Sequence, residues 1–301
     1  MLNQKDQTAY SNWNFLEPGT IVDNYMIERP LADGGFSSVY LARQLSDQYQ
    51  VVIKEYLPRR IAHRTWGNVV VPKTDENRAL FLKGRRLFVE EAKILAKLKH
   101  PNIVEVINFF QENSTVYIVM TYDYGKNLAF HINDRKGPLS EDFLLTVFPK
   151  LLSGIDAIHS NSLLHLDIKP ENILIRPGGD PMLLDFGAVH PFPNGQEDRL
   201  GKVLTQGFSP PEQYGSSGQI GPWSDLYAIG ASMHNCIVGK PPPRASERTS
   251  NDTLVPAVKA FNRQYSTELL EAIDWALRVD PTKRPQTVQE LLDVLPSLKP
   301  K

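Results

Sequence analysis

His165-Leu166-Asp167-Ile168-Lys169-Pro170-Glu171-Asn172, followed a little later by Asp185-Phe186-Gly187, is the stretch on which the reading of this chain turns. It sets two aspartates, a lysine and an asparagine at a spacing suited to holding a nucleotide's magnesium and taking up a hydroxyl proton. Magnesium favours hard oxygen ligands, and a general base must lie within hydrogen-bond reach of the proton it accepts. Two surface loops rich in Asp and Asn are the competing explanation. That explanation gives no reason for so specific a set to stand directly behind an apolar helical segment.

The flanks supply the architecture. Asn172-Ile173-Leu174-Ile175 and Met182-Leu183-Leu184 are short apolar runs that read as small strands around the motif. Upstream, Phe143–His159 has helical periodicity; downstream, Leu226–Val238, Ser266–Leu277 and Val288–Leu295 do too. Before Gly125 the pattern is mostly strand-like: Val39-Tyr40-Leu41-Ala42, Val51-Val52-Ile53 and Val116-Tyr117-Ile118-Val119-Met120 are β-branched and bounded by turn residues. One helix interrupts them, expected over Leu87–Leu98 and ending before His100-Pro101, because proline disfavours helical geometry in the residue before it. The spacing therefore predicts an α+β fold of two lobes with a cleft at the hinge near 121–125, where ligand sites favour such interfaces.

Further motifs stand at matching places. Leu31-Ala32-Asp33-Gly34-Gly35-Phe36-Ser37-Ser38-Val39 lies between two expected strands, and an ordinary hairpin turn is its bland reading. Val51-Val52-Ile53-Lys54 ends an apolar strand in a lysine. Glu91-Ala92-Lys93-Ile94-Leu95 precedes Leu98-Lys99-His100-Pro101-Asn102-Ile103-Val104. Beyond the central motif come Thr205-Gln206-Gly207-Phe208-Ser209-Pro210-Pro211-Glu212-Gln213-Tyr214 and Asp280-Pro281-Thr282-Lys283-Arg284-Pro285.

Taken together these motifs resemble a eukaryotic-type protein kinase, in the wording of the bacterial serine/threonine members, over roughly residues 24–296. The resemblance implies a protein-kinase-like fold with a leader over 1–23, a small antiparallel-sheet lobe with one helix over 24–122, and a larger, mainly helical lobe over 123–301. It implies ATP and Mg2+ as cofactors and a protein substrate bearing a Ser or Thr hydroxyl. Asp167 would act as the base, Lys169 would neutralise the transferring phosphoryl, and Thr205 would stand beside both and help select a hydroxyl. Asn172 and Asp185 would carry magnesium, with Phe186 packed beneath the helix and Gly187 letting the chain turn. Lys54 would contact the phosphates while paired to Glu91, with the adjacent Glu90 as competitor. Leu31, Ala32, Gly34, Gly35, Phe36, Ser37, Val39, Val52, Met120, Tyr122 and Leu174 would line the nucleotide. Glu212 would pair with Arg284, and Asp225 would cap the central helix and brace the catalytic loop.

Three departures carry information. The glycine loop has Ala32 and Ser37 where the family pattern has glycines. Leu166 replaces the usual arginine that binds a phosphate added to the activation loop, and Phe186 to Leu204 contains no Ser, Thr or Tyr; activity independent of phosphorylation there is expected. Finally, 36 residues separate Lys54 from Glu91, more than the resemblance implies. The basic insertion at 55–86 reads either as a covering loop or small hairpin, or as a docking surface for a regulatory partner.

The bulk numbers agree. With 301 residues and 41% hydrophobic content the chain can bury a large core or two smaller ones. A net charge of −1 points to no nucleic-acid partner and no anionic membrane. The one cysteine, Cys236, lies in an apolar run; it reads as an inert buried thiol and fits a reducing, cytoplasmic location. No transmembrane helix or signal peptide is expected. Two other functions compete: a pseudokinase scaffold, favoured only by the altered glycine loop, Val52 and Leu166, and a small-molecule kinase of the aminoglycoside or choline type. The latter shares a His-x-Asp loop but lacks counterparts of Glu212 and Arg284.

Overall fold

The computed structural model describes residues 15–135, 137–185, 190–192, 204–215 and 219–298. Up to Lys99, together with Glu105–Asp123, the described residues form one compact unit; His100–Val104 and the chain from Tyr124 onward form a second.

The first unit is built on a six-stranded antiparallel sheet. Its strands are β1 (Ile21–Val22), β2 (Tyr25–Asp33), β3 (Ser37–Gln44), β4 (Gln50–Tyr56), then, after a separate hairpin of β5 (Ala62–Arg64) and β6 (Val70–Pro72), β7 (Val106–Glu112) and β8 (Thr115–Thr121). Their spatial order is β1-β2-β3-β4-β8-β7. Alternation along each strand sends Tyr25, Ile27, Tyr40, Ala42, Val51, Ile53, Tyr117 and Val119 to one face, where they meet Leu16 and Val22 in a single core. Phe15 stands edge-on to the Tyr40 ring at 5.8 Å and packs against this core.

The helix of this unit runs from Asp75 to Leu95, so it begins twelve residues before the expected Leu87. Its buried stripe is Phe81, Gly84, Phe88, Ala92 and Leu95, a three- and four-residue spacing that extends the amphipathic pattern backward. The stretch 55–86 is therefore the end of β4, the β5–β6 hairpin and the first half of this helix.

In the second unit the helix Glu141–Ser160 starts at Ser140, whose hydroxyl accepts from the Phe143 N–H and satisfies one of the first-turn donors. The helix Pro222–Val238 is buried on nearly every side, as its apolar sequence requires. Gly221 is its N-cap and Pro222 occupies the first turn, so Asp225 lies inside the helix and does not cap it, contrary to expectation. The two apolar runs near the motif are the antiparallel strands Ile173–Arg176 and Asp180–Leu183. Cys236 is free and buried, and burial pushes its thiol pKa up, the state of an inert side chain. Among the described residues no helix is long and apolar enough to cross a membrane.

Candidate active site

Two groups of expected site residues are assembled, each within one unit. In the first, the register of β3, β4 and β8 puts Val39 opposite Lys54 and Lys54 opposite Ile118, with Leu41, Val52 and Met120 in the next row. Residues two apart share a face, so Val39, Lys54, Val52 and Met120 lie together on the side turned away from Tyr40 and Ile53. Lys54 Nζ is 3.5 Å from Glu91 Oε1 and sits over the Phe88 ring at 5.5 Å. Glu91 is 15% exposed; Glu90, at 54%, points outward to Lys93. The buried stripe of the helix therefore selects Glu91. Ala32 faces Val39 across the β2–β3 pair, and Gly34, Gly35 and Phe36 form the turn between these strands, with the Gly34 N–H donating to Ser37 O at 2.8 Å. Leu31 and Phe36 are exposed. Tyr122 follows β8 in the chain.

In the second unit the His165–Asn172 stretch is held by Asp225. Its Oδ2 accepts from the His165 N–H at 2.9 Å and its Oδ1 from the Leu166 N–H at 2.8 Å, while His159 Nε2 lies 2.8 Å from Oδ2. Burial opposes ionisation of this carboxyl, but hydrogen bonding and charge from His159 and His165 outweigh it and hold its pKa below the ordinary aspartate range. Leu166 adopts φ +62°, a conformation rare for a branched side chain and sustained by the bonds at both ends of the residue. Its N–H goes to Asp225, its carbonyl accepts from Gln213 Nε2 at 3.0 Å, and its side chain is 3% exposed. Such strain costs on the order of 1–3 kcal/mol and concentrates at functional loops. His165 is wholly buried; desolvation lowers its pKa despite nearby Asp225, Asp167 and Asp185. Its Nδ1 lies 3.3 Å from the Asp167 N–H.

Asp167, Lys169, Asn172 and Thr205 meet in one cluster. Lys169 Nζ reaches both carboxylate oxygens of Asp167, at 3.0 and 2.8 Å, and Thr205 Oγ1 at 3.3 Å. Thr205 Oγ1 donates to Asp167 Oδ1 at 2.7 Å. Asn172 Nδ2 donates to Asp167 O at 2.9 Å and to Oδ2 at 3.1 Å. This use of the amide nitrogen leaves the side-chain Oδ1 of Asn172 as the atom that could hold a metal. Asp185 is tied to the same place because the Leu184 N–H donates to Asn172 O at 2.8 Å. A carboxylate and an amide oxygen are hard donors that suit magnesium, which keeps further positions for water and phosphate oxygens. Leu174 lies on the adjoining strand, paired with Met182 and Asn127. Phe186 and Gly187, and nearly all of the segment to Leu204, lie outside the described residues.

Behind the cluster, Arg284 holds Glu212 through two bonds of 2.7 and 3.1 Å, and Ser224 Oγ adds a third at 2.7 Å. The remaining guanidinium donors go to the carbonyls of Arg278, Val279 and Trp223, and the group lies 4.8 Å from the Tyr227 ring centre. The Thr205 segment is secured by Gly207 at φ +85°, where a Cβ would come within 2.8 Å of Pro242 O and 2.9 Å of Pro241.

Sequence reading missed a second polar centre in the first unit. Glu55, fully buried beside Lys54 in the chain, accepts from Tyr40 at 2.8 Å and Tyr117 at 3.0 Å and pairs with Arg64 of β5 at 2.5 Å. It also missed Arg59, 2.6 Å from Asp33. The basic character of 55–86 was the only signal, because neither pair has a helical or cross-turn spacing that marks a partner.

The protein kinase domain model matches residues 25–294. Serine/threonine-protein kinase D of Synechocystis is 29% identical over 92% of this chain and 53% of its own length. Serine/threonine-protein kinase PknA of Nostoc is 28% identical over 91% of this chain and 47% of its own. The chain thus spans about half the length of these curated relatives. A solved structure, the apo form of PpkA-294, is 33% identical, covers 94% of this chain and all of its own, and superposes with a TM-score of 0.83. With its sheet-based first unit and helical second unit, the chain belongs to the protein kinase domain family and has its α+β fold.

Proposed function

We propose that this chain is an ATP-dependent serine/threonine protein kinase with Asp167 as catalytic base. The observation that carries the reading is the Asp167–Lys169–Thr205–Asn172 cluster, in which one carboxylate is already oriented by three donors. Phosphoryl transfer asks a protein mainly for positioning and charge neutralisation. Asp167 would take the hydroxyl proton of the substrate, a role for which its Thr205 contact stands in. Lys169 would offset charge on the transferring group, and Lys54, held by Glu91, would orient the phosphates. The residues that would hold magnesium are Asn172 and Asp185; the ion would neutralise phosphate charge there. Val39, Val52 and Met120 would pack on the base, with Leu31, Ala32, Gly34, Gly35, Phe36, Ser37, Tyr122 and Leu174 completing the nucleotide site.

Leu166 supports activity independent of loop phosphorylation, since its buried, uncharged side chain offers nothing to a phosphate. A regulatory partner would meet the 55–86 insertion at its tip, where Trp66 is fully exposed. The single buried thiol of Cys236 fits a cytoplasmic setting. The pseudokinase scaffold is not favoured, because Ala32, Ser37, Val52 and Leu166 remove none of the expected catalytic groups, and Lys54, Asp167, Lys169 and Asn172 are all paired. The test is phosphosite mapping of a generic protein incubated with this chain, ATP and magnesium. Modification of Ser and Thr, by protein bearing no phosphate of its own between 186 and 204, is expected; transfer only to aminoglycosides or choline, or no transfer at all, would overturn it.

A further inference from the structure

The loop expected to cover the phosphates contains a carboxylate, Asp33, immediately before Gly34. A negative charge there repels a triphosphate unless something cancels it. Arg59, three residues beyond β4 and at the start of the insertion, does so: its guanidinium is 2.6 Å from Asp33 Oδ1 and 3.2 Å from Ser38 Oγ. Asp33 and Ser38 are direct cross-strand partners that flank the turn, so one side chain ties both stems together. Ser38 alternates with Val39, and so Arg59 approaches from the face opposite Val39 and Lys54. The nucleotide face stays clear. Two more contacts fix the same place: the Leu57 N–H donates to Phe36 O at 2.9 Å, and the Arg59 guanidinium lies 5.0 Å from the Phe15 ring centre.

We propose that Arg59 is a positioning residue for the glycine loop, neutralising Asp33 and pinning the loop stems so that ATP binds without repulsion. This rests on the reading of the chain as an ATP-dependent kinase. It gives the start of the insertion a part in nucleotide affinity and none in the chemical step.

The test is a double-variant cycle read through KM for ATP and kcat. Arg59→Ala is expected to raise KM about three- to tenfold with kcat within about twofold, the size of one lost charge-assisted contact. Asp33→Asn should leave KM within about twofold, and adding it to Arg59→Ala should return KM to that level, because the unmasked charge is gone. Arg59→Lys should keep most of the affinity. An unchanged KM in Arg59→Ala, or a rise that persists in the double variant, would overturn the proposal while leaving the kinase reading intact; unaltered protein that binds no ATP would overturn both. Where Arg59→Ala does not fold, the charge-swapped pair Arg59→Asp with Asp33→Arg carries the test. A KM near that of the unaltered protein is expected, and one about tenfold higher contradicts it.

Discussion

The carboxylate of Asp225 accepts the backbone N–H of Leu166 at 2.8 Å, and that bond holds a leucine at φ +62° one residue before the proposed base. Because Asp225 lies inside the first turn of a buried helix, the proposed catalytic loop takes its shape from the core of its unit. Asp225→Ala strands the N–H groups of His165 and Leu166 as well as His159. The expected cost is about 3–5 kcal/mol of unfolding free energy, in the range for removing one partner of a buried charged network. Denaturant unfolding checks this, and kcat should fall even at temperatures where the variant remains folded.

Glu91 and Glu90 make a paired test of the lysine's partner. Glu91→Gln should lower kcat/KM about tenfold or more, because Lys54 loses the charge that orients it. Glu90→Gln, which affects only an exposed contact with Lys93, should change kcat/KM by less than about twofold. Steady-state kinetics with varied ATP separates the two, and equal effects would reassign the pair.

Arg284→Ala leaves Glu212 buried with a single hydroxyl partner, Ser224. A loss of about 3–5 kcal/mol is expected. Arg284→Lys should recover little of it, since one ammonium cannot replace the bidentate fork and its three carbonyl contacts. Thermal and denaturant unfolding of the two variants measure both statements.

His234 gives the fold a pH dependence. Burial, with Arg248 and Lys240 nearby, lowers its pKa to about 4. The unfolded chain binds this proton near the ordinary histidine value of about 6.5. Above that value His234 carries no penalty; as pH falls toward 4 the unfolded state gains a proton that the folded state refuses. Stability should drop by about 1.4 kcal/mol per pH unit over that window from this residue. His234→Phe should flatten the slope, seen by denaturant titrations between pH 7 and 4.

The local parts of the site were the legible ones. Asp167, Lys169 and Asn172 fall within six residues, so their spacing alone announces the chemistry. The strands were equally plain, because Val39-Tyr40-Leu41-Ala42 and Val51-Val52-Ile53 are short apolar runs of strand-favouring residues bounded by turn residues. The start of the long helix was not: the expected Leu87 start leaves out the first half of the buried stripe, Phe81 and Gly84, which only the helix beginning at Asp75 brings onto one face with Phe88. Asp225 reads as a cap because the apolar run sets the expected helix start at Leu226, whereas the helix opens at Pro222. The Arg64–Glu55 and Arg59–Asp33 pairs depend on how the hairpin folds back on the sheet, and no local period records that.

Transfer of labelled γ-phosphate to a protein substrate by unaltered chain and by Asp167→Asn is the most direct measurement. The amide keeps the shape and one oxygen to accept from Thr205 and Lys169, gives up the second acceptor used by Lys169 and Asn172, and cannot take a proton, so the rate should fall about a hundredfold or more with the fold retained. Equal labelling by the two proteins would contradict Asp167 as the base and, with it, the proposed chemistry of the cluster.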